Sequence, residues 1–143
     1  SGIRLGYMIS NSKLCNYISK CRSLVETNSM TYQVALWAIK NKIFKDHVRQ
    51  VKMGAKFIKN KLRSNGDVFH GGNHTNAFIL RLPDVKSTES LRSFLSKRKI
   101  YIRNKFPTPI AQYVRISLCS PKKLSIFFKE YLKWKKRLVN NPN

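Results

Sequence analysis

Arg4 interrupts residues 3–9 (IRLGYMI), a run that is otherwise apolar at nearly every position. A guanidinium in such a run needs an anionic partner, and its planar fork suits a phosphate or a carboxylate better than lysine does. Arg115 stands in residues 112–118 (QYVRISL) between Val114 and Ile116, so strand alternation turns it away from its apolar neighbours, into a cleft or into water. Arg103 closes the short run 100–103 (IYIR) and is one of 29 Lys and Arg residues, so a solvated role competes with anion binding there. The chain offers few internal partners for these cations: its only carboxylates are Glu26, Asp46, Asp67, Asp84, Glu89 and Glu130. They are scattered, which argues against a paired-carboxylate hydrolase and against a Mg²⁺ cage. His70 and His74 flank Gly71-Gly72-Asn73, a turn and not a helix face, so a metal pair is not expected. Cys15, Cys21 and Cys119 have neither an even count nor a CxxC spacing, and read as reduced core thiols. No cysteine is placed with a His and an acid for nucleophilic catalysis.

The elements that must position these groups follow from periodicity. Residues 3–9 read as a strand buried on both faces. Leu14, Tyr17, Ile18 and Cys21 form a helical stripe, and a cap within residues 27–30 opens a second helix whose apolar run 34–39 predicts burial. Residues 44–64 form a long amphipathic helix, with Phe44, Val48, Val51, Ala55, Ile58 and Leu62 on one side. Lys45, Arg49, Lys52, Lys56, Lys59 and Arg63 occupy other positions, and Asn65-Gly66 supplies a left-handed stop. Residues 68–69 and 77–82 read as strands, Ser87 as the cap of a helix carrying Leu91, Phe94 and Leu95, residues 100–103 and 112–118 as strands. Pro121 sits at the first position of a final helix bearing Leu124, Phe127, Tyr131 and Trp134. Trp37 and Trp134 are expected in the core.

With 143 residues the chain suits one domain with a real core, and 42% apolar with 11% aromatic content separates it from a disordered basic tail. The net charge of +23 demands an anionic partner or acidic neighbouring protein, unless a compositional bias has filled solvated positions with lysine. No apolar run approaches the roughly 20 residues of a membrane span, and no signal peptide is evident, so a cytoplasmic location without membrane is expected. The opening in mid-strand suggests a C-terminal piece of a longer protein.

Residues 1–7 (SGIRLGY) resemble the segment after the Schiff-base lysine in class I/II pyridoxal-phosphate aminotransferases, with Arg4 matching the family's arginine and Leu5-Gly6-Tyr7 the small-residue turn after it. Residues 112–117 (QYVRIS) resemble the C-terminal strand that presents the carboxylate-binding arginine. Residues 99–103 (KIYIR) are similar to the strand carrying an arginine twelve residues earlier in the histidinol-phosphate aminotransferase branch, and 76–80 (NAFIL) to the family's Asn-Phe-Val-Leu strand with the asparagine displaced by one. The branch's Pro-Phe/Tyr-Asn segment is absent near residues 24–26, and Cys119 replaces the small residues usual after the arginine strand.

The resemblance implies an α/β protein, the C-terminal region of a fold-type-I transferase, with helices packed on a small, mainly antiparallel sheet. Residues 1–43 would end the large cofactor-binding domain and 44–143 would form the small domain. Arg4 would bind the phosphate of pyridoxal 5'-phosphate, Arg115 the substrate carboxylate, and Arg103 a distal group or phosphate. Tyr7 reads better as a packed strand aromatic than as pocket lining. The reaction implied is amino-group transfer between an amino acid or amino-alcohol phosphate and a 2-oxo acid, in a homodimer once the N-terminal large domain is present. The lysine would lie upstream of Ser1, leaving this chain inactive alone and without a catalytic residue of its own. A decarboxylase of the threonine-phosphate type shares the scaffold. The rival from another class is a basic nucleic-acid-binding module, drawing on the 44–64 helix and residues 129–137 (KEYLKWKKR); its basic residues are spread along the chain, so only non-specific binding is expected.

Overall fold

The computed structural model describes residues 5–6, 8–21 and 28–140. The chain divides into two compact units, residues 1–46 and 47–143.

In the first unit, helix α1 (Ser12–Ser19) begins at Asn11, whose side chain accepts from the Leu14 N–H at 2.9 Å. Helix α2 (Ser29–Lys40) begins in the same way at Asn28, which accepts from Thr31 N–H at 2.7 Å. Each cap satisfies one of the orphan donors of a helix start. Two expectations fail here. Of residues 3–9, the described ones, 5–6 and 8–9, are not strand, and Leu5, Met8 and Ile9 are exposed, because no described strand lies beside them to complete a ladder. Helix α2 buries only Thr31, Ala35 and Ala38, while Trp37 is 59% exposed, so its apolar run does not make it a core helix. A helix apolar all round needs cover on every side, and here only its small-residue stripe has it.

The second unit is a helical layer on a sheet. Helix α3 (Phe44–Ser64), which begins at the end of the first unit, turns Ala55, Ile58 and Leu62 into the core and ends at Gly66, whose φ of +72° is the left-handed stop. Strands β1 (Phe69–Gly71), β2 (Ala77–Arg81) and β3 (Tyr113–Ser117) form an antiparallel sheet in that order. Phe78, Leu80, Val114 and Ile116 fill its inner face against α3, α4 (Val85–Ser96) and α5 (Pro121–Asn140). Among the described residues these are five helices and three strands, the mixed α/β arrangement expected. Helix α4 is capped one turn earlier than expected, by Asp84: its carboxylate accepts from Ser87 N–H at 2.6 Å, and that bond holds its pKa below the usual carboxylate value. Aspartate outcompetes serine here because it adds charge at the positive end of the helix dipole. Residues 100–103 do not form a full strand but a single bridge, Arg103 to Arg115. Of the three free thiols only Cys119 packs against the core, half-buried, and burial pushes its thiol up; Cys15 is half-buried outside it and Cys21 is exposed.

Two sets of hydrogen bonds hold the helices to one another. Asp67 accepts from Tyr131 Oη at 2.7 Å, Lys135 Nζ at 2.9 Å and Asn65 Nδ2 at 2.6 Å, tying the end of α3 to α5. Trp134 is buried as expected and donates to Ser90 Oγ at 3.1 Å, joining α5 to α4. Gly54 lies against the Cys119 carbonyl, and a Cβ at residue 54 would stand 1.8 Å from that oxygen. Gly54→Ala is therefore expected to cost about 1–3 kcal/mol of unfolding free energy, the range for overpacking. The obstacle is backbone and cannot swing aside. Urea denaturation checks it, and an unchanged midpoint would contradict the close approach.

Candidate substrate-anion site

In β3 the order Tyr113-Val114-Arg115-Ile116-Ser117 alternates out and in, with Val114 and Ile116 buried and Arg115 exposed. Because the side-chain period is two, burial of Val114 and Ile116 forces Arg115 onto the opposite face. The backbone of Arg103 exchanges both hydrogen bonds with Arg115, its N–H donating at 3.2 Å and its carbonyl accepting at 2.7 Å. The two arginines are thus direct cross-strand partners. On the other side Arg115 faces Ile79, and Ile79 faces His70. One row therefore crosses the outer face of the sheet: His70, Ile79, Arg115, Arg103.

Two like charges directly opposite each other destabilise a sheet. Among the described residues, neither guanidinium has a carboxylate partner. Arg103 lies over the Phe106 ring at 5.2 Å, and Arg115 lines a cavity of about 370 Å³ with His70, Thr75, Asn76 and Ile79. His70 meets the Tyr113 ring at 6.0 Å, which leans it toward β3. A substrate carboxylate or phosphate placed on this face would relieve the repulsion and accept charge-assisted hydrogen bonds from one or both arginines.

Arg103 and Arg115, singled out from sequence, come together here. Arg4, Tyr7 and residues 24–26 lie outside the described residues. His70 belongs to β1 and His74 to the turn after it, and no group of three or more His, Cys, Asp or Glu side chains that could hold a metal occurs among the described residues. Sequence reasoning missed the place of His70 and Asn76 beside Arg115. The alternation in β2 and β3 carries that signal, but it needs the register, which residues 71–76 and 104–112 leave open.

The sequence model for aminotransferase class I and II matches residues 1–129. The chain belongs to the aminotransferase class I and II family. A histidinol-phosphate aminotransferase of Caldanaerobacter subterraneus subsp. tengcongensis is 25% identical over 105 residues, which are 73% of this chain. The chain spans 29% of the length of that relative. The crystal structure of a putative histidinol-phosphate aminotransferase from Erwinia carotovora atroseptica superposes with a TM-score of 0.73 over 95% of this chain and 38% of its own, at 15% identity. An L-threonine-O-3-phosphate decarboxylase from Porphyromonas gingivalis gives 0.64 over 94% of this chain and 42% of its own, at 21% identity. These likenesses establish the fold as that of fold-type-I aminotransferases. No helix of the described residues is long and apolar enough to cross a membrane.

The arginine row yields a stability prediction. Arg115→Thr, which keeps β propensity and removes the like-charge pair, is expected to raise the stability of the isolated chain in anion-free buffer by about 0.2–1 kcal/mol. Thermal denaturation decides it: a clear loss of stability would mean that Arg115 is held by an attractive contact.

Proposed function

We propose that this chain is the C-terminal part of a pyridoxal-phosphate-dependent aminotransferase. Residues 1–43 complete the large cofactor-binding domain and 44–143 form the small domain that closes over substrate. The observation that carries the reading is the Arg103–Arg115 bridge, two opposed guanidiniums on an exposed face with no carboxylate partner among the described residues. Arg115 takes the carboxylate of an amino acid or 2-oxo acid, and Arg103 takes a distal anion such as the phosphate of an amino-alcohol phosphate. Bidentate guanidinium contacts would fix the substrate's orientation, which is worth more to the rate than affinity alone. Arg4 is assigned to the cofactor phosphate from its sequence motif. Pyridoxal phosphate supplies the electron sink in such enzymes. This chain's share is binding and orientation, while the proton-moving lysine belongs to the segment that precedes Arg4 in the family. The complete protein is taken to be a cytoplasmic homodimer using an amino donor and a 2-oxo acid.

A second reading, decarboxylation of a phosphorylated amino acid, is supported by the fold's likeness to the threonine-phosphate enzyme. It would use the same arginine pair, with carboxylate and phosphate on one substrate.

Two measurements test the proposal. The 143-residue chain alone is expected to show no transaminase turnover with amino acids or amino-alcohol phosphates; sustained turnover would place the catalytic lysine within it. In the complete enzyme, Arg115→Ala is expected to lower kcat/KM for carboxylate-bearing substrates by about 2–4 kcal/mol, the penalty for removing one partner of a desolvated charged pair. Cofactor absorbance and affinity should stay at the parent's values. Equal, small losses with and without a substrate carboxylate would return Arg115 to a solvent-facing role.

A further inference from the structure

Lys52, Lys56, Lys59 and Arg63 succeed one another along α3 at steps of four, three and four residues, and so lie along one line of its surface. All four line a single cavity of about 310 Å³, together with Asn60 and the turn residues Gly72 and Thr75, and no carboxylate lines it. Asp46, in the first turn, is the one acidic residue of α3. Among the described residues none of the four cations is ion-paired. Lys59 donates to the side-chain oxygen of Asn73, and Arg63 lies over the Phe69 ring at 6.0 Å. Asp67 lines an adjoining cavity with Lys59 and Arg63, but its oxygens already accept from Tyr131, Lys135 and Asn65. Glu130 is engaged by Arg98 and Lys133. The stripe thus carries like charges at i,i+3 and i,i+4, each pair working against the helix, and Asp67 beside it is already engaged elsewhere.

We propose that this stripe is a docking surface for the phosphate backbone of a nucleic acid, bound without regard to sequence. The arrangement favours a polymer over a small anion, because the cations run in a line about 16 Å long and do not converge on a point. It favours a phosphate backbone over an acidic protein for a different reason. Protein interfaces deplete lysine and rely on aromatic anchors, and no aromatic residue lines the cavity between these cations. Long, flexible lysines set around the small aliphatic side chains of Val51, Ala55 and Leu118 suit the diffuse charge of a duplex. This surface lies on α3 and borders the Arg115 cavity at Thr75, but its cations are not those of the arginine row, and the proposal stands whether or not the transferase reading does.

A net charge of +23 gives the whole chain some attraction for DNA, so the test must ask which lysines carry it. Binding of the full chain to a fluorescein-labelled 20-base-pair duplex is monitored by anisotropy from 50 to 200 mM salt. Three proteins are compared: the parent, a variant with Lys52→Gln, Lys56→Gln, Lys59→Gln and Arg63→Gln, and a control with Lys86→Gln, Lys97→Gln, Lys129→Gln and Lys136→Gln. The control residues are exposed and lie on α4 and α5 or just beyond α4. The stripe variant is expected to lower the slope of log affinity against log salt by about 3 to 4, near 0.9 for each phosphate that is no longer neutralised. Between 50 and 200 mM salt the parent should therefore lose about 100-fold more affinity than the stripe variant does. The control should stay within about threefold of the parent. Circular dichroism and melting temperature confirm that both variants are folded, and removal of like charges from α3 gives no reason for the stripe variant to unfold. Equal losses in stripe variant and control would overturn the proposal, showing the charge to be dispersed. So would an undetectable parent affinity at 50 mM salt, or tighter binding to poly-glutamate than to the duplex at equal charge concentration.

Discussion

The arrangement of the second unit depends on the burial of Val114 and Ile116. A slip of one residue in β3 would bring both to the surface and drive the Arg115 guanidinium into the apolar layer beneath the sheet. Since an unpaired buried charge costs far more than any single methyl contact returns, that register is excluded. The same constraint passes to β2 through the pairs Ile79–Arg115 and Leu80–Val114, and from β2 to β1. Everything proposed for the outer face of the sheet derives from side chains on its inner face.

Those inner-face residues were legible because they repeat with a simple period. Residues 44–64 carry helical spacing over five turns and form α3 with those bounds. Pro121 marks the start of α5, and Val114-Arg115-Ile116 gives the one strand whose two faces could be told apart from sequence. Residues 5–6, 8–9 and 34–39 misled for a common reason. An apolar run shows that a segment wants cover but not that cover is present, and Ile9 and Trp37 stand exposed. Ser87 was read as the cap of α4, but the cap is Asp84, three residues earlier, and only the backbone shows which accepts and which donates. The pairing of Arg103 with Arg115 was out of reach, because residues 104–112 could place those arginines at any of several registers.

Carboxylates are scarce in this chain, and where they are placed they do structural work that lysine cannot. Asp84 accepts at a helix start, Asp67 accepts three bonds at the junction of α3 and α5, and Glu130 bridges Arg98 and Lys133 between α4 and α5. Lys133 and Arg98 hold the Glu130 carboxyl below its usual pKa. Burial, reinforced by the Asp67 charge, drives the Tyr131 hydroxyl well above the ordinary tyrosine value and keeps it a neutral donor. Basic residues fill the solvated faces, and acids remain as acceptors at the joints.

The bridge between Arg103 and Arg115 also bears on how the sheet ends. β3 pairs with β2 along its length, but its other side meets one residue, so most of that margin is an open strand edge. An edge of this kind is a template on which a second chain can add a strand, and folded proteins commonly blunt it with charge. Here the backbone of Arg103 pairs with Arg115 at the middle of the margin, where an incoming backbone would have to lie. The residues proposed to receive a small anion would thus also keep molecules of this protein from polymerising edge to edge.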